Sequence, residues 1–400
     1  MPSRETIERE PLILGLMFPQ GQGAWTASFA PTETTIEWKF LASLAQLADR
    51  IGLDYLFMGN GYYTKGGYGG HGRARATALD ATAVAAALAP ITKRLLLIST
   101  IHTAYHCVHP LFFAKIGATL DWISEGRWGP NFVAGISELN ARHFGVPWLD
   151  HDQRYAMSDE FVTVVKRIWS DPEPVTFEGQ FIMTEAAWMS PKPARLPIMV
   201  NAGVSDMGLD FAARHCDWVF TSAGGDPELT GLRGMQAGIE RVKIFGRRYG
   251  KDLKVASNVY VICRDTETEA RGAFERICDQ ADFEVIEAMR SPGMGLVDPK
   301  GSKAFVDKAQ HPIARSGAIW GGIRVVGDPR QVATRLVEFK ESGLDCVSLV
   351  FHNYLSDLTY FAEHVLPLLK RAGIRLEDAP AEKLRQEAAI NASLESSRER

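Results

Sequence analysis

Polar side chains stand where short apolar runs of this sequence end. His102 and Thr103 close the run Leu95–His102, Asn131 sits inside Trp128–Ala134, and His352 with Asn353 follows Cys346–Phe351. Imidazole suits proton transfer near neutral pH, so His102 and His352 are candidate catalytic groups if those run ends line a pocket. A single histidine in an apolar strand is, however, more often structural. An asparagine amide inside an apolar strand is costly unless it is paired. Asn131 therefore either holds a cofactor or is satisfied by its neighbours.

Two further groups are suited to an anion. In Asn201-Ala-Gly-Val-Ser205, Gly203 allows close backbone approach and Ser205 opens a helix, whose N-terminus offers unpaired N–H groups and partial positive charge to a phosphate. An ordinary Ser cap with nothing bound explains the same residues. Arg154 and Tyr155, in His151-Asp-Gln-Arg-Tyr155, offer a guanidinium fork and a phenol to the same phosphate. The alternative is that Asp152 caps the helix and Arg154 is solvated. The run HTAYHCVH (102–109) has several histidines but no carboxylates, so it is not read as a metal site.

The elements that would position these groups alternate. Strands are expected at Leu12–Pro19, Tyr55–Met58, Leu95–His102, Trp128–Ala134, Ile198–Asn201, Trp218–Thr221, Val255–Cys263 and Cys346–Phe351, with helices at Glu37–Ile51, Leu79–Leu88, Pro110–Ile123 and Tyr155–Trp169. Val175–Met183 reads as a hairpin insertion around Glu178-Gly179. Such alternation signals a parallel sheet, closed or open. The count of eight strands, and the lack of an early GxGxxG, favour an α/β (β/α)8 TIM barrel, in which function gathers at the C-terminal strand ends. The barrel is expected over 1–376. The Gly/Pro/Lys-rich stretch 291–322 reads as a lid, and 377–400 as a polar helical or disordered tail forming a C-terminal extension.

Bulk properties exclude several classes. The 400 residues are 46% hydrophobic and 23% charged with net charge −4, which gives no electrostatic case for nucleic acid. Five scattered cysteines without CxxC spacing fit a reducing cytoplasm. No leader-like apolar segment opens the sequence, and no membrane-spanning run of about 18 apolar residues follows.

The segments ATLDWISEGRWGPNFVAG, GVPWLDHDQRYAMSDEFVTVVKRIW, FEGQFI, PKP and NAGVSDMGLDFAARHCDWVFTS, taken in order, resemble the bacterial-luciferase-like, FMNH2-dependent two-component monooxygenases. The likeness covers about residues 12–370. Around HDQRY it is nearest to the dimethylsulfone enzymes, with the pyrimidine and alkanesulfonate enzymes also similar. The resemblance implies a barrel that takes reduced FMN from a separate flavin reductase and uses it with O2 on a small organic substrate, an organosulfur compound or an N-heterocycle. It further implies that Arg154, Tyr155 and Ser205 hold the phosphate, that Asn131 lies against the flavin and the oxygen site, and that Asn60 and Gly61 meet the flavin. A homodimer or homotetramer is expected.

Two positions depart from the pyrimidine enzymes. His102 replaces a small threonine near the oxygen pocket, and Asn140 replaces a glutamate, so the site of the flavin–oxygen adduct, N5 or C4a, does not carry over. The loop NGYYTKGGYGGHG is rich in aromatic residues, and Tyr62, Tyr63 and Tyr68 could stack on a flat substrate. Three rivals share the fold: a riboflavin-cleaving lyase with FMN as cofactor and a flavin as substrate, a deazaflavin-dependent oxidoreductase, and a non-catalytic flavin-binding paralogue.

Overall fold

In this computed structural model, residues 4–68, 70, 73–135, 137–221, 227–290, 315–320 and 322–376 are described. The strands in chain order are β1 (Ile13–Met17), β2 (Tyr55–Met58), β3 (Leu96–His102), β4 (Trp128–Val133), β5 (Val175–Glu178), β6 (Met183–Ala187), β7 (Val200–Asn201), β8 (Trp218–Phe220), β9 (Lys254–Cys263), β10 (Ile323–Gly327) and β11 (Cys346–Val350). Parallel pairing runs β9-β11-β1-β2-β3-β4-β7-β8 and returns to β9, so eight strands close a ring with helices outside it. The (β/α)8 expectation holds. β5 and β6 form an antiparallel hairpin as expected, but its second strand, Met183–Ala187, begins where the hairpin was expected to end.

One strand was not expected. β10 directly follows the Gly/Pro/Lys-rich stretch 291–322, where no strand was expected, and pairs in parallel with Val259–Cys263. β8 covers only Lys254–Ala256 of β9, and β10 takes over the same edge higher up. The backbone N–H and C=O groups of that edge need partners, and five residues, IRVVG, suffice to provide them. Most of the anticipated lid, and all of the tail 377–400, lie outside the described residues. Of 291–322, the part described is 315–320 and 322, where Ile319 bridges Thr26.

The ring interior is filled from below, as side-chain layers demand in a barrel of this size. Tyr55 lies over Gly15, whose missing Cβ would otherwise meet the ring at 2.5 Å. Its hydroxyl and Ser348 Oγ are 2.8 Å apart, and its edge meets Trp218 at 5.5 Å. Phe57 and Phe220 are in contact at 4.4 Å. Trp128 and Phe132 point the other way and pack on Phe113, which also meets Phe161 and Trp169 of the helix His151–Ser170. Alternation along the strands therefore turns Thr100, His102 and Asn131 into the barrel. No helix of the described residues is long and apolar enough to cross a membrane.

Candidate active site

His102 and Asn131 occupy neighbouring strands, with Thr100 registered against Asn131 and His102 against Val133. Both side chains are buried, at 3% and 2% exposure. His102 Nε2 lies 3.0 Å from the Asn60 carbonyl, which only accepts, so Nε2 carries the proton and Nδ1 presents a lone pair. Among the described residues that Nδ1 has no partner. Burial lowers the imidazole pKa below its ordinary 6.5, which keeps the ring neutral. Asn131 Nδ2 donates to Thr100 Oγ1 at 2.9 Å, while its Oδ1 is unpaired. Of the two readings of Asn131, neighbours satisfy half of the amide and leave the other half bare. Each such orphan costs about 1–3 kcal/mol until a donor arrives.

A second cluster lies at the end of β7. Asn201, fully buried, donates from Nδ2 to the Phe132 carbonyl at 2.7 Å and accepts from the Gly203 N–H at 2.7 Å, which fixes the turn. Ser205 then caps the helix Asp206–His215, its Oγ accepting from the Gly208 N–H at 3.1 Å. The Tyr155 hydroxyl reaches this turn. A Cβ on Gly203 or Gly208 would lie 2.5 or 2.6 Å from it, so both glycines are required for the approach. Tyr155 also bonds Ser205, and burial raises its pKa despite that bond and the nearby Arg154. The helix carrying Tyr155 is capped by Asp150 with Gln153, not by Asp152. Arg154 is buried rather than solvated: Nη1 donates to the Leu149 carbonyl at 2.8 Å, and the guanidinium lies 4.0 Å over Trp148.

The loop after β2 divides. Asn60 donates to Asp80, the cap of the helix Ala81–Leu88, and its Oδ1 accepts from the Gly61 N–H at 3.1 Å. Tyr62 turns towards His102 and Phe144, at 5.9 and 4.7 Å between rings, and Asn140 donates to its carbonyl. Burial pushes the Tyr62 hydroxyl up to about 12. Tyr63 and Tyr68 pair with each other instead, at 5.5 Å. His352 organises the loop after β1: Nε2 lies 2.9 Å from the Pro31 carbonyl, and its own carbonyl accepts from Thr32 and Thr34. Its Nδ1 is unpaired, and burial lowers its pKa.

Sequence reasoning passed over Gln20, Trp25, Arg75, Tyr105 and Cys107. Gln20 is buried and donates to the Gly59 carbonyl, with Oε1 unpaired. The Tyr105 ring lies tilted beside His102 at 5.3 Å, and Cys107 Sγ lies 3.5 Å from the His102 carbonyl. Their signal was weak because all five lie in loops, where polarity is ordinary. A cavity of about 250 Å3 at the opposite, N-terminal face is lined by residues such as Asp217, Lys251 and Lys254. It lies at the starts of β8 and β9, away from the strand ends that carry chemistry in this fold.

A barrel with polar strand ends is shared by many enzymes, and comparison with known proteins narrows the choice. The family model described as luciferase-like monooxygenase matches residues 14–346. The chain belongs to that family. By family it is a monooxygenase, hence an oxidoreductase. This luciferase-like monooxygenase is 28% identical over 367 residues to an FMNH2-dependent dimethylsulfone monooxygenase of Pseudomonas putida, covering 90% of this chain and 96% of that one. It is 28% identical over 373 residues to pyrimidine monooxygenase RutA of Allorhizobium ampelinum, covering 89% and 96%. Among solved structures, a riboflavin lyase in a crystal with modified FMN and riboflavin superposes with a TM-score of 0.81 at 24% identity, covering 92% of this chain and 94% of that one. At that identity the likeness speaks for the fold alone.

Proposed function

We propose that this luciferase-like monooxygenase uses reduced FMN and O2 to oxygenate or cleave a small organic substrate, an organosulfur compound or an N-heterocycle. The observation that carries the reading is the two buried, unpaired acceptors His102 Nδ1 and Asn131 Oδ1, on the barrel-facing side of the neighbouring strands β3 and β4 and two residues apart in register. A reduced isoalloxazine ring carries N–H groups, so the residues present fit it. The β7 turn fits its phosphate, with Ser205 and Tyr155 hydroxyls at a helix N-terminus and glycines that leave room. The FMNH2 dependence named for the dimethylsulfone relative agrees.

Reduced FMN, when bound, supplies the electrons that activate O2. The protein's part is placement. Asn131 and His102 accept hydrogen bonds from the ring or the substrate, and His102, neutral above pH 6.5, can take up a proton at Nδ1. Asn60 and Gly61 hold the imidazole and the adjacent loop. Tyr155, Ser205 and the Gly203 turn anchor the phosphate, with the charge of Arg154 beside Tyr155. The packed layer of Phe57 and Phe220 excludes water from below. In this reading His352 and Tyr62 meet the substrate, and the Tyr63–Tyr68 pair offers a further aromatic surface to it.

The reading includes a separate flavin reductase, a cytoplasmic setting, and assembly as a homodimer or homotetramer. It also treats 1–376 as the barrel unit, 291–322 as its lid and 377–400 as a tail. Anaerobic titration with reduced FMN, followed by turnover with isotopically labelled O2, a reductase and candidate substrates, tests it. Saturable FMN binding and label in the product are expected. FMN that fails to bind, or product without label, overturns the reading. Light scattering should return a mass above that of one chain.

A further inference from the structure

The loop after β2 contains two arginines two residues apart, and they meet opposite fates. Arg73 pairs with Asp282 and Glu284. Arg75 is 7% exposed, yet among the described residues no carboxylate neutralises it and its Nε has no hydrogen-bond partner. Its guanidinium instead lies 4.7 Å from the Trp25 ring and 5.3 Å from the Trp320 ring. The two indoles are themselves in contact at 5.0 Å, and the buried Nε1 of each lacks a partner. Three mutually touching side chains thus hold three unpaired donors: Arg75 Nε, Trp25 Nε1 and Trp320 Nε1.

The surroundings hold this cation in place. Arg75 has φ +61, a left-handed backbone rare outside glycine, and its N–H donates to the Gln22 carbonyl at 2.9 Å. Gly21 leaves the space that Nη1 occupies, since a Cβ there would lie 2.0 Å from it. Aromatic faces attract a guanidinium but do not replace a counter-ion, and a buried charge without one is expensive. A cluster that only donates calls for an oxyanion, and Arg matches the planar fork of a carboxylate or the oxygens of a sulfonate. Both indoles are partly exposed, which leaves a way in.

The flavin phosphate is not that anion. Around the ring, β1 and β7 stand opposite each other, with β2, β3 and β4 between them on one side and β11, β9 and β8 on the other. Arg75 packs on the loop that follows β1, whereas Ser205 follows β7. We infer that Arg75, Trp25 and Trp320 form a subsite for the carboxylate or sulfonate group of an anionic organic substrate. The inference deepens the proposed function and rests on it for the word substrate. It separates this chain from relatives named for dimethylsulfone and pyrimidine, which carry no such group.

The test is binding of benzoate, benzenesulfonate and neutral benzamide to the full chain, with and without FMN, read by calorimetry and tryptophan fluorescence. Either anion is expected to bind and to perturb the fluorescence, with benzamide far weaker. Arg75→Gln should weaken anion binding by about tenfold or more, and Arg75→Lys by less, because charge survives without the fork. Trp320→Phe, which keeps the ring and removes the N–H, should weaken it in the same direction and serves if Arg75→Gln fails to fold. FMN affinity should not move in any variant. Equal binding of benzoate and benzamide, loss of FMN instead of anion, or no anion binding by a protein that binds FMN would overturn the subsite. Arg75-dependent anion binding by a protein that ignores FMN would retain the subsite and overturn the flavin reading.

Discussion

At the scale of single residues, this site is defined by what its polar atoms lack. His102 spends its N–H on the Asn60 carbonyl and Asn131 its amide N–H on Thr100, so each faces the barrel with an acceptor. Replacing Asn131 by Ala should weaken reduced-FMN binding by about 5- to 100-fold, the worth of one buried hydrogen bond, with little loss of thermal stability because an orphan is removed too. Titration of the variant against wild type checks this. His102 also carries a pH signature. Its folded pKa lies below 6.5, so the unfolded chain binds the proton more tightly. Its contribution to stability is therefore complete above pH 6.5 and is lost as pH falls from there towards the folded pKa. Melting curves from pH 7.5 to 5 should show a shallower loss in His102→Gln than in wild type. The comparison matters because Asp54, raised by burial to about 6, contributes in the opposite sense, losing stability as pH rises through that value.

At the scale of elements, close approach between helix and strand end decides the cofactor side. The helix His151–Ser170 is tied to β3 through Thr103 and Ser158, whose hydroxyl oxygens are 2.6 Å apart, and this delivers Tyr155 to the β7 turn. Gly203→Ala would put a methyl 2.5 Å from the Tyr155 hydroxyl. We expect FMN affinity to fall about tenfold or more and the melting temperature to fall as well, since the methyl would also lie 2.8 Å from the buried Asn201 Oδ1 and 3.0 Å from the Gly208 Cα. Gly15→Ala provides the contrast. Its Cβ would enter the Tyr55 ring in the packed core, so it should cost about 1–3 kcal/mol in denaturant unfolding.

At the scale of the molecule, the turn after the last described helix is clamped to the first strands of the barrel. Arg375, 5% exposed, pairs with Asp54, donates from Nη1 to the Leu12 carbonyl at 2.9 Å and from Nη2 to the Gly52 carbonyl at 2.9 Å. Asp54 Oδ2 in turn accepts from the Leu14 N–H at 2.8 Å, holding β1 to the start of β2. Removing one partner of such a buried pair strands the other, so Arg375→Ala should destabilise by about 3–5 kcal/mol in equilibrium unfolding. The clamp lies at the N-terminal face, so flavin affinity in the folded fraction should be unchanged.

Much of this architecture is legible in the residues alone. Short apolar runs alternating with helical patterns mark eight strands and their helices, because strands buried on both faces and helices packed outside them leave those patterns along the chain. Residues 102, 131, 155 and 205 are visible for the same reason: a polar group at the end of an apolar run, or at a helix start, contrasts with its neighbours. β10 and Arg75 are not. Five residues after a Gly-rich stretch become a strand because β8 ends early and leaves an edge of β9 to pair. An arginine in a Gly-rich loop reads as solvated until folding sets Trp25 and Trp320, from distant parts of the chain, together against it. Closure of the ring, the acceptors left open on His102 and Asn131, and the lack of a carboxylate beside Arg75 among the described residues all depend on which groups meet in the folded chain. Sequence spacing specifies neighbours along the chain, whereas a missing partner is a property of the whole three-dimensional surroundings.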